Sequence, residues 1–261
     1  MKKIIYLLSI LLLCGCGSDN TTENQNSFAI TLTPSATNVV VDESFTITVA
    51  AGETIKSMGI SLDNFATGAG NAVLDFGSSK VLTFNFDSLG QKTITINATN
   101  NAGAVSQKQI VVNVTRGNAI KINGLQLISF YDINTSWDPE YGTNNINRLA
   151  DLQFGFIKTK LNNYYNGSYS DLLWHLSTTL PNQGTMTWDL STYNLYLKPE
   201  IGLQFGLADV DEVGGGQDLL NGPPYEKTIS FTDYIQSKPT TITYSYPEIN
   251  LEFKLLIDWV N

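Results

Sequence analysis

The chain has 261 residues, enough for two ordinary domains or one large one, and a formal net charge of −9. Sparse charge, 11% aromatic residues and plentiful Thr, Asn, Ser and Gly suit all-β extracellular modules, not a helical bundle or a disordered chain. The negative balance argues against nucleic acid as a partner, and one histidine with two cysteines leaves no zinc cluster and no Cys–His nucleophile pair.

Both cysteines lie in the first 16 residues. Lys2 and Lys3 form a positive start, and Ile4 to Leu13 form an apolar run too short to span a bilayer. Leu13-Cys14-Gly15-Cys16 then resembles the bacterial lipobox, in which a signal peptidase cuts before a cysteine that becomes lipid-modified. The resemblance implies a signal peptide over 1–15, palmitate on Cys16, and a membrane partner reached through that anchor. It places the chain in a bacterial cell envelope, at the outer membrane. Loss of Lys2 and Lys3 would take the formal charge from −9 to −11 and leave no thiol for a disulfide. The stretch 16–26 contains nothing to bury and reads as a flexible tether.

From 27 to 115 short strands follow one another. Phe45, Ile47 and Val49 alternate with polar or small neighbours, as do Phe84 and Phe86, Ile94 and Ile96, and Ile110, Val112 and Val114. Turn residues at Asn100-Asn101-Ala102-Gly103 separate the last two. This spacing predicts a β-sandwich of immunoglobulin size. The run from Gly90 to Val114 resembles the last strands of PKD and related immunoglobulin-like domains of bacterial surface proteins, which implies a spacer or docking module. Thr115-Arg116-Gly117-Asn118 reads as a hinge.

A second all-β unit is predicted over 119–261. Ile120, Ile122, Leu125 and Leu127 open it, and a long polar loop runs from Asn134 to Asp151. Leu152, Phe154 and Phe156 alternate as a strand, and Asn162 to Asp171 read as a polar hairpin with Tyr164, Tyr165 and Tyr169. Those tyrosines are candidates for stacking on sugar rings. The chain ends on a period-2 run, Ile249 to Trp259, whose one apolar face requires a core. Leu256 interrupts the polar side and suggests partial cover there.

Between these strands lies Phe205 to Gly222, with Asp209, Asp211 and Asp218, Glu212, and glycines at 214–216. Crowded carboxylates repel one another unless a cation sits among them. Calcium, which takes six to eight oxygens in flexible geometry, suits such a loop.

The order of these pieces resembles a C2 domain, an eight-stranded antiparallel sandwich whose end loops hold calcium with aspartates. Asp209-Val210-Asp211 matches the family's Asp-x-Asp, and Asp218 follows one residue later than usual. Trp137-Asp138 stands where the family's first loop has its aspartate, with Asp132 and Glu140 as alternatives, and Asp151 opens the next strand. The resemblance implies a calcium site of Asp138, Asp151, Asp209, Asp211 and Asp218.

No acid–base pair across a cleft or Ser–His–acid set stands out, so catalysis is not expected. Ser170 and His175 lack such company, and His175 reads as structural. The fold expectation is therefore two β-sandwiches in tandem, immunoglobulin-like and then C2-like. The functional expectation is non-catalytic, calcium-dependent binding of a glycan, a lipid head group or a surface protein. The alternative is a structural or assembly subunit in which calcium only stiffens the loops.

Overall fold

The computed structural model describes residues 28–67, 71–211 and 216–260. The expectations for Cys16, the tether, Glu212, Gly214 and Gly215 fall outside those residues. Among the described residues no helix is long and apolar enough to cross a membrane.

Eight strands build the first sandwich. They are β1 (Ile30–Pro34), β2 (Asn38–Val40), β3 (Phe45–Ala51), β4 (Ile55–Ser61), β5 (Asn71–Val73), β6 (Ser79–Phe84), β7 (Gly90–Asn100) and β8 (Val105–Thr115). One sheet runs β1-β3-β6 and the other β2-β8-β7-β4-β5. All pairings are antiparallel except β2 with β8, which is parallel. Period-2 alternation turns Ile47, Val49, Leu82, Phe84, Ile94, Ile96 and Val112 into the space between the sheets, where all are buried. The expected turn at Asn100–Gly103 closes the β7–β8 hairpin, with Gly103 at φ +84°.

The second sandwich holds β9 (Ile120–Ser129), β10 (Leu152–Asn163), β11 (Ser168–Leu176), β12 (Thr187–Asp189), β13 (Tyr196–Leu197), β14 (Leu203–Val210), β15 (Gly216–Asp218), β16 (Lys227–Ile229), β17 (Thr241–Tyr246) and β18 (Leu251–Asp258). One sheet is β11-β10-β14-β15, with β16 also on β14. The other is β12-β9-β18-β17, with β13 also on β9. Every pairing is antiparallel. Phe154, Phe156, Phe205 and Phe253 pack between the sheets, with Phe205 and Phe253 stacked at 4.3 Å. Leu256 is 44% exposed and lies over Gly124 on the outer face, where its cover is partial.

Each sandwich has its own apolar core, one ending at Ala119 and the other starting at Ile120. The segment read as a hinge is a turn held from both sides. Arg116 donates to the Ala119 carbonyl and to both the carboxylate and the carbonyl of Asp258. Gly117, at φ +57°, lies so near Val40 that a Cβ there would meet its side chain at 2.4 Å.

The β10–β11 hairpin also reaches into the first sandwich. Tyr164 stacks on Phe84 at 5.0 Å and Tyr165 on Phe76 at 5.6 Å. The Thr83 N–H donates to the Tyr164 carbonyl, and the Tyr165 hydroxyl to the Met58 carbonyl. Tyr169 pairs its hydroxyl with Ser44. Two of the three candidate stacking rings are thus packed against this chain's own phenylalanines, because the hairpin is long enough to reach the neighbouring sheet. Below them, Lys158 and Asp42 form a buried ion pair at 2.7 Å, with the ammonium 4.3 Å from the Trp174 ring. Lys160–Asp87 and Lys198–Glu43 flank it at 2.6 and 2.7 Å.

Candidate metal centre

Strand β14 sets the centre of the site. Leu203, Phe205 and Leu207 face inward, and the next inward position is Asp209. Its carboxylate is therefore carried by strand register to the end of an apolar face, where it is fully buried. One oxygen, Oδ1, accepts the Asp151 N–H at 2.6 Å. The other, Oδ2, is buried and has no hydrogen-bond partner among the described residues. Leaving such an oxygen unmatched costs on the order of 1–3 kcal/mol, which a ligand reaching it would recover.

Asp138 and Asp211 bring their carboxylates to the same place. With Asp209, each offers an oxygen, and these lie within 4.8 Å of one another. Asp138 reaches it from the long loop, which Arg148 organises. The Trp137 and Asp138 N–H groups donate to the Arg148 carbonyl, and its guanidinium donates to the carbonyls of Thr143 and Asn134. Desolvation, followed by the charges of Asp209, Glu140, Asp211 and Asp151, pushes Asp138 up from 3.8 to about 6. Burial likewise pushes Asp209 up, with Asp211 and Asp151 adding to it. Both shifts come first from burial, and the neighbouring carboxylates add to it.

Asp151 stands at the edge of this group. Its Oδ1 accepts the Asn182 N–H at 2.7 Å while its own N–H holds Asp209. It positions Asp209 and adds charge, and is not one of the three converging carboxylates. The alternative first ligand Asp132 uses its carbonyl to accept the Trp137 indole N–H, and Glu140 lines the cleft beside Asp138.

Asp218 is a correction. In the β14–β15 pairing Asp209 faces Gln217, and Asp218 faces Ala208. Because strand side chains alternate, that single residue sends Asp218 to the opposite face from Asp209. Its oxygens instead accept the Leu220 and Gly222 N–H groups at 3.1 and 2.6 Å, closing the following turn. The residue that is one position late in the sequence is on the wrong face in space, and Gln217 takes its place in the cleft.

The cleft over the cluster has a volume of about 510 Å³. Besides the acidic groups it is lined by Trp137, Tyr141, Asn147, Asn182 and Gln217. Sequence reading missed Asn147, Asn182, Tyr141 and Gln217 as cleft residues. The one cue was Pro181-Asn182-Gln183-Gly184, a turn signature that places Asn182 at φ +54° beside Asp151. His175 lies elsewhere, packed against Phe154, Phe156 and Tyr193, and burial holds its pKa below the usual value.

The fold and site define an all-β chain of two sandwiches with an oxygen-only cluster at one end. No family model matches the chain, and no curated protein matches it by sequence. Among solved structures, a PKD domain of a peptidase from a Thermoplasmatales archaeon is 11% identical, covering 34% of this chain and 96% of its own length at a TM-score of 0.29. A carbohydrate-binding module of the β-sandwich superfamily is 9% identical, with 90% and 93% coverage and a TM-score of 0.28. SGBP-B of the Bacteroides ovatus mixed-linkage glucan utilization locus, in complex with a mixed-linkage heptasaccharide, is 14% identical, with 61% and 45% coverage and a TM-score of 0.19. Likenesses at these TM-scores carry no argument about activity, so a functional reading has to come from the residues themselves.

Proposed function

We propose that this chain is a non-catalytic binding module of a bacterial cell envelope, and that Asp138, Asp209 and Asp211 hold a calcium ion at one end of its second, C2-like sandwich. The observation that carries the reading is Asp209, whose carboxylate keeps one oxygen buried and unmatched and brings an oxygen within 4.8 Å of two more carboxylates. The donors are all hard oxygens, which suits calcium over zinc or copper. An irregular loop-built cleft suits calcium over magnesium, which demands near-ideal octahedral geometry and keeps its waters. Bound there, the ion would supply positive charge and open coordination positions facing the cleft. Anchorage through Cys16 rests on the Leu13-Cys14-Gly15-Cys16 motif alone.

Thermal melting in millimolar calcium against chelator tests the ion. An ion bound only by the folded state at a hundredfold excess over Kd stabilises it by about 2.7 kcal/mol. Asp209→Asn, which keeps an acceptor for the Asp151 N–H, should lose that gain, and magnesium should give less of it. Identical melts for both proteins in calcium and chelator would overturn the reading. The anchor is tested separately, since fatty-acid labelling that survives Cys16→Ala would contradict it.

A further inference from the structure

We infer that the cleft beside this ion takes a neutral, hydroxyl-rich carbohydrate and not an anionic head group, an inference that rests on the calcium reading above. Charge in the cleft favours a neutral guest. Asp138, Glu140, Asp151 and Asp211 line one space with Asp209 buried beside them, and a single divalent ion offsets two of those five charges. Among the described residues no lysine or arginine lines the cleft. Arg148, the cationic residue of the long loop, turns its guanidinium to the Thr143 and Asn134 carbonyls. A phosphate or carboxylate entering here would meet the remaining negative charge in a partly desolvated site, where like charges repel strongly. A sugar's vicinal hydroxyls would bring two neutral oxygens to the ion instead, and calcium accepts such ligands in its uneven shell.

The neutral part of the lining suits a sugar. Tyr141 is 39% exposed at the cleft, and its hydroxyl makes no hydrogen bond within the described residues. Its ring, with Trp137 nearby, offers an apolar face and a polar rim, the combination that packs against a sugar ring. The side-chain amides of Asn147, Asn182 and Gln217 also line the space and make no hydrogen bond within the described residues, so each can donate to and accept from hydroxyls. The cleft volume falls within the usual range for small-ligand sites. Tyr164 and Tyr165, two of the three tyrosines named as candidates for sugar stacking, are packed into the other sandwich.

The test is native affinity electrophoresis of the mature chain in gels containing soluble neutral polysaccharides (glucan, mannan, galactan, xylan and fructan), with calcium or with chelator. Sedimentation with phosphatidylserine vesicles runs beside it. At least one polysaccharide should retard the protein in calcium and release it in chelator. Tyr141→Ala should weaken that retention about tenfold while keeping the calcium-dependent melting shift. If calcium shifts the melt but no polysaccharide retards the chain, or if the chain sediments with the vesicles in calcium and is released from them by chelator, the inference falls and the ion stands. Retention unchanged in Tyr141→Ala would place the sugar elsewhere and overturn it too. An absent melting shift would remove both readings.

Discussion

The two ends of the inward-facing run from Leu152 to Lys158 in β10 bury charge in opposite ways. At one end Lys158, 2% exposed, meets Asp42 of the other sandwich, and the pair is closed within the chain. Six residues back, about 20 Å along the strand, β10 begins at Leu152 beside Asp209, which is 0% exposed and surrounded by other carboxylates. Both ionic groups sit where strand alternation puts an inward side chain. Lys158 follows Leu152, Phe154 and Phe156, and Asp209 follows Leu203, Phe205 and Leu207. The comparison teaches that burial alone does not mark a binding site. A buried charge with its counterion in the same chain is architecture, and one without a counterion among the described residues is where we propose that an ion binds.

The largest expected effect breaks the closed end. Lys158→Met leaves Asp42 buried and unpaired, and should cost about 3–5 kcal/mol in denaturant unfolding. Adding Asp42→Asn should recover most of it, because the remaining group is neutral. A single-variant loss under about 1 kcal/mol, the size of an exposed pair, would show that the junction is wetter than described.

The open end should respond in the other direction. In chelator, Asp209→Asn should be more stable than the natural chain by roughly 1 kcal/mol, since it removes a repelling charge. In calcium the order should invert. If melting curves in chelator rank the variant below the natural protein, repulsion is not what the empty cluster experiences.

Acid should sharpen the same contrast. The pKa of Asp138 rises from 3.8 to about 6 on folding, so the folded state binds this proton more tightly. Its contribution to stability is fully present below 3.8 and is lost as pH rises through about 6. Without metal, melting temperature should therefore fall across that interval, and Asp138→Asn should flatten the profile. The calcium gain should run oppositely and grow as pH rises through the same window, because the ion needs the carboxylate ionised. A calcium gain independent of pH would remove Asp138 from the site.

The smallest effect concerns Asp218. Asp218→Ala should cost about 1 kcal/mol through its two lost turn hydrogen bonds and leave the calcium shift untouched. Loss of the calcium shift in this variant would return Asp218 to the ligand set.

Much of this was legible in the sequence. Period-2 runs such as Leu203, Phe205 and Leu207 announced the strands, and the Asp209-x-Asp211 pair marked two of the three carboxylates that converge. What failed was register. Asp218 looked like a ligand by proximity, yet one residue of slip moved it to the other face, which only the β14–β15 pairing reveals. Lys158 and Asp42 are 116 positions apart, and nothing local says that they meet. Tyr164 and Tyr165 looked free because a hairpin's sequence does not show what its tip packs against. Asn147 and Asn182 reach the cleft through loop and turn conformations that carry no apolar periodicity.

Calorimetric titration of calcium into the mature chain and into its Asp209→Asn variant, at neutral pH and millimolar ion, tests the central claim most directly. The account predicts a saturable binding isotherm for the natural chain, with a weaker response to magnesium, and no binding in the variant. A flat titration for the natural chain, or equal binding by both, would contradict it and leave the three converging carboxylates as a solvated acidic loop.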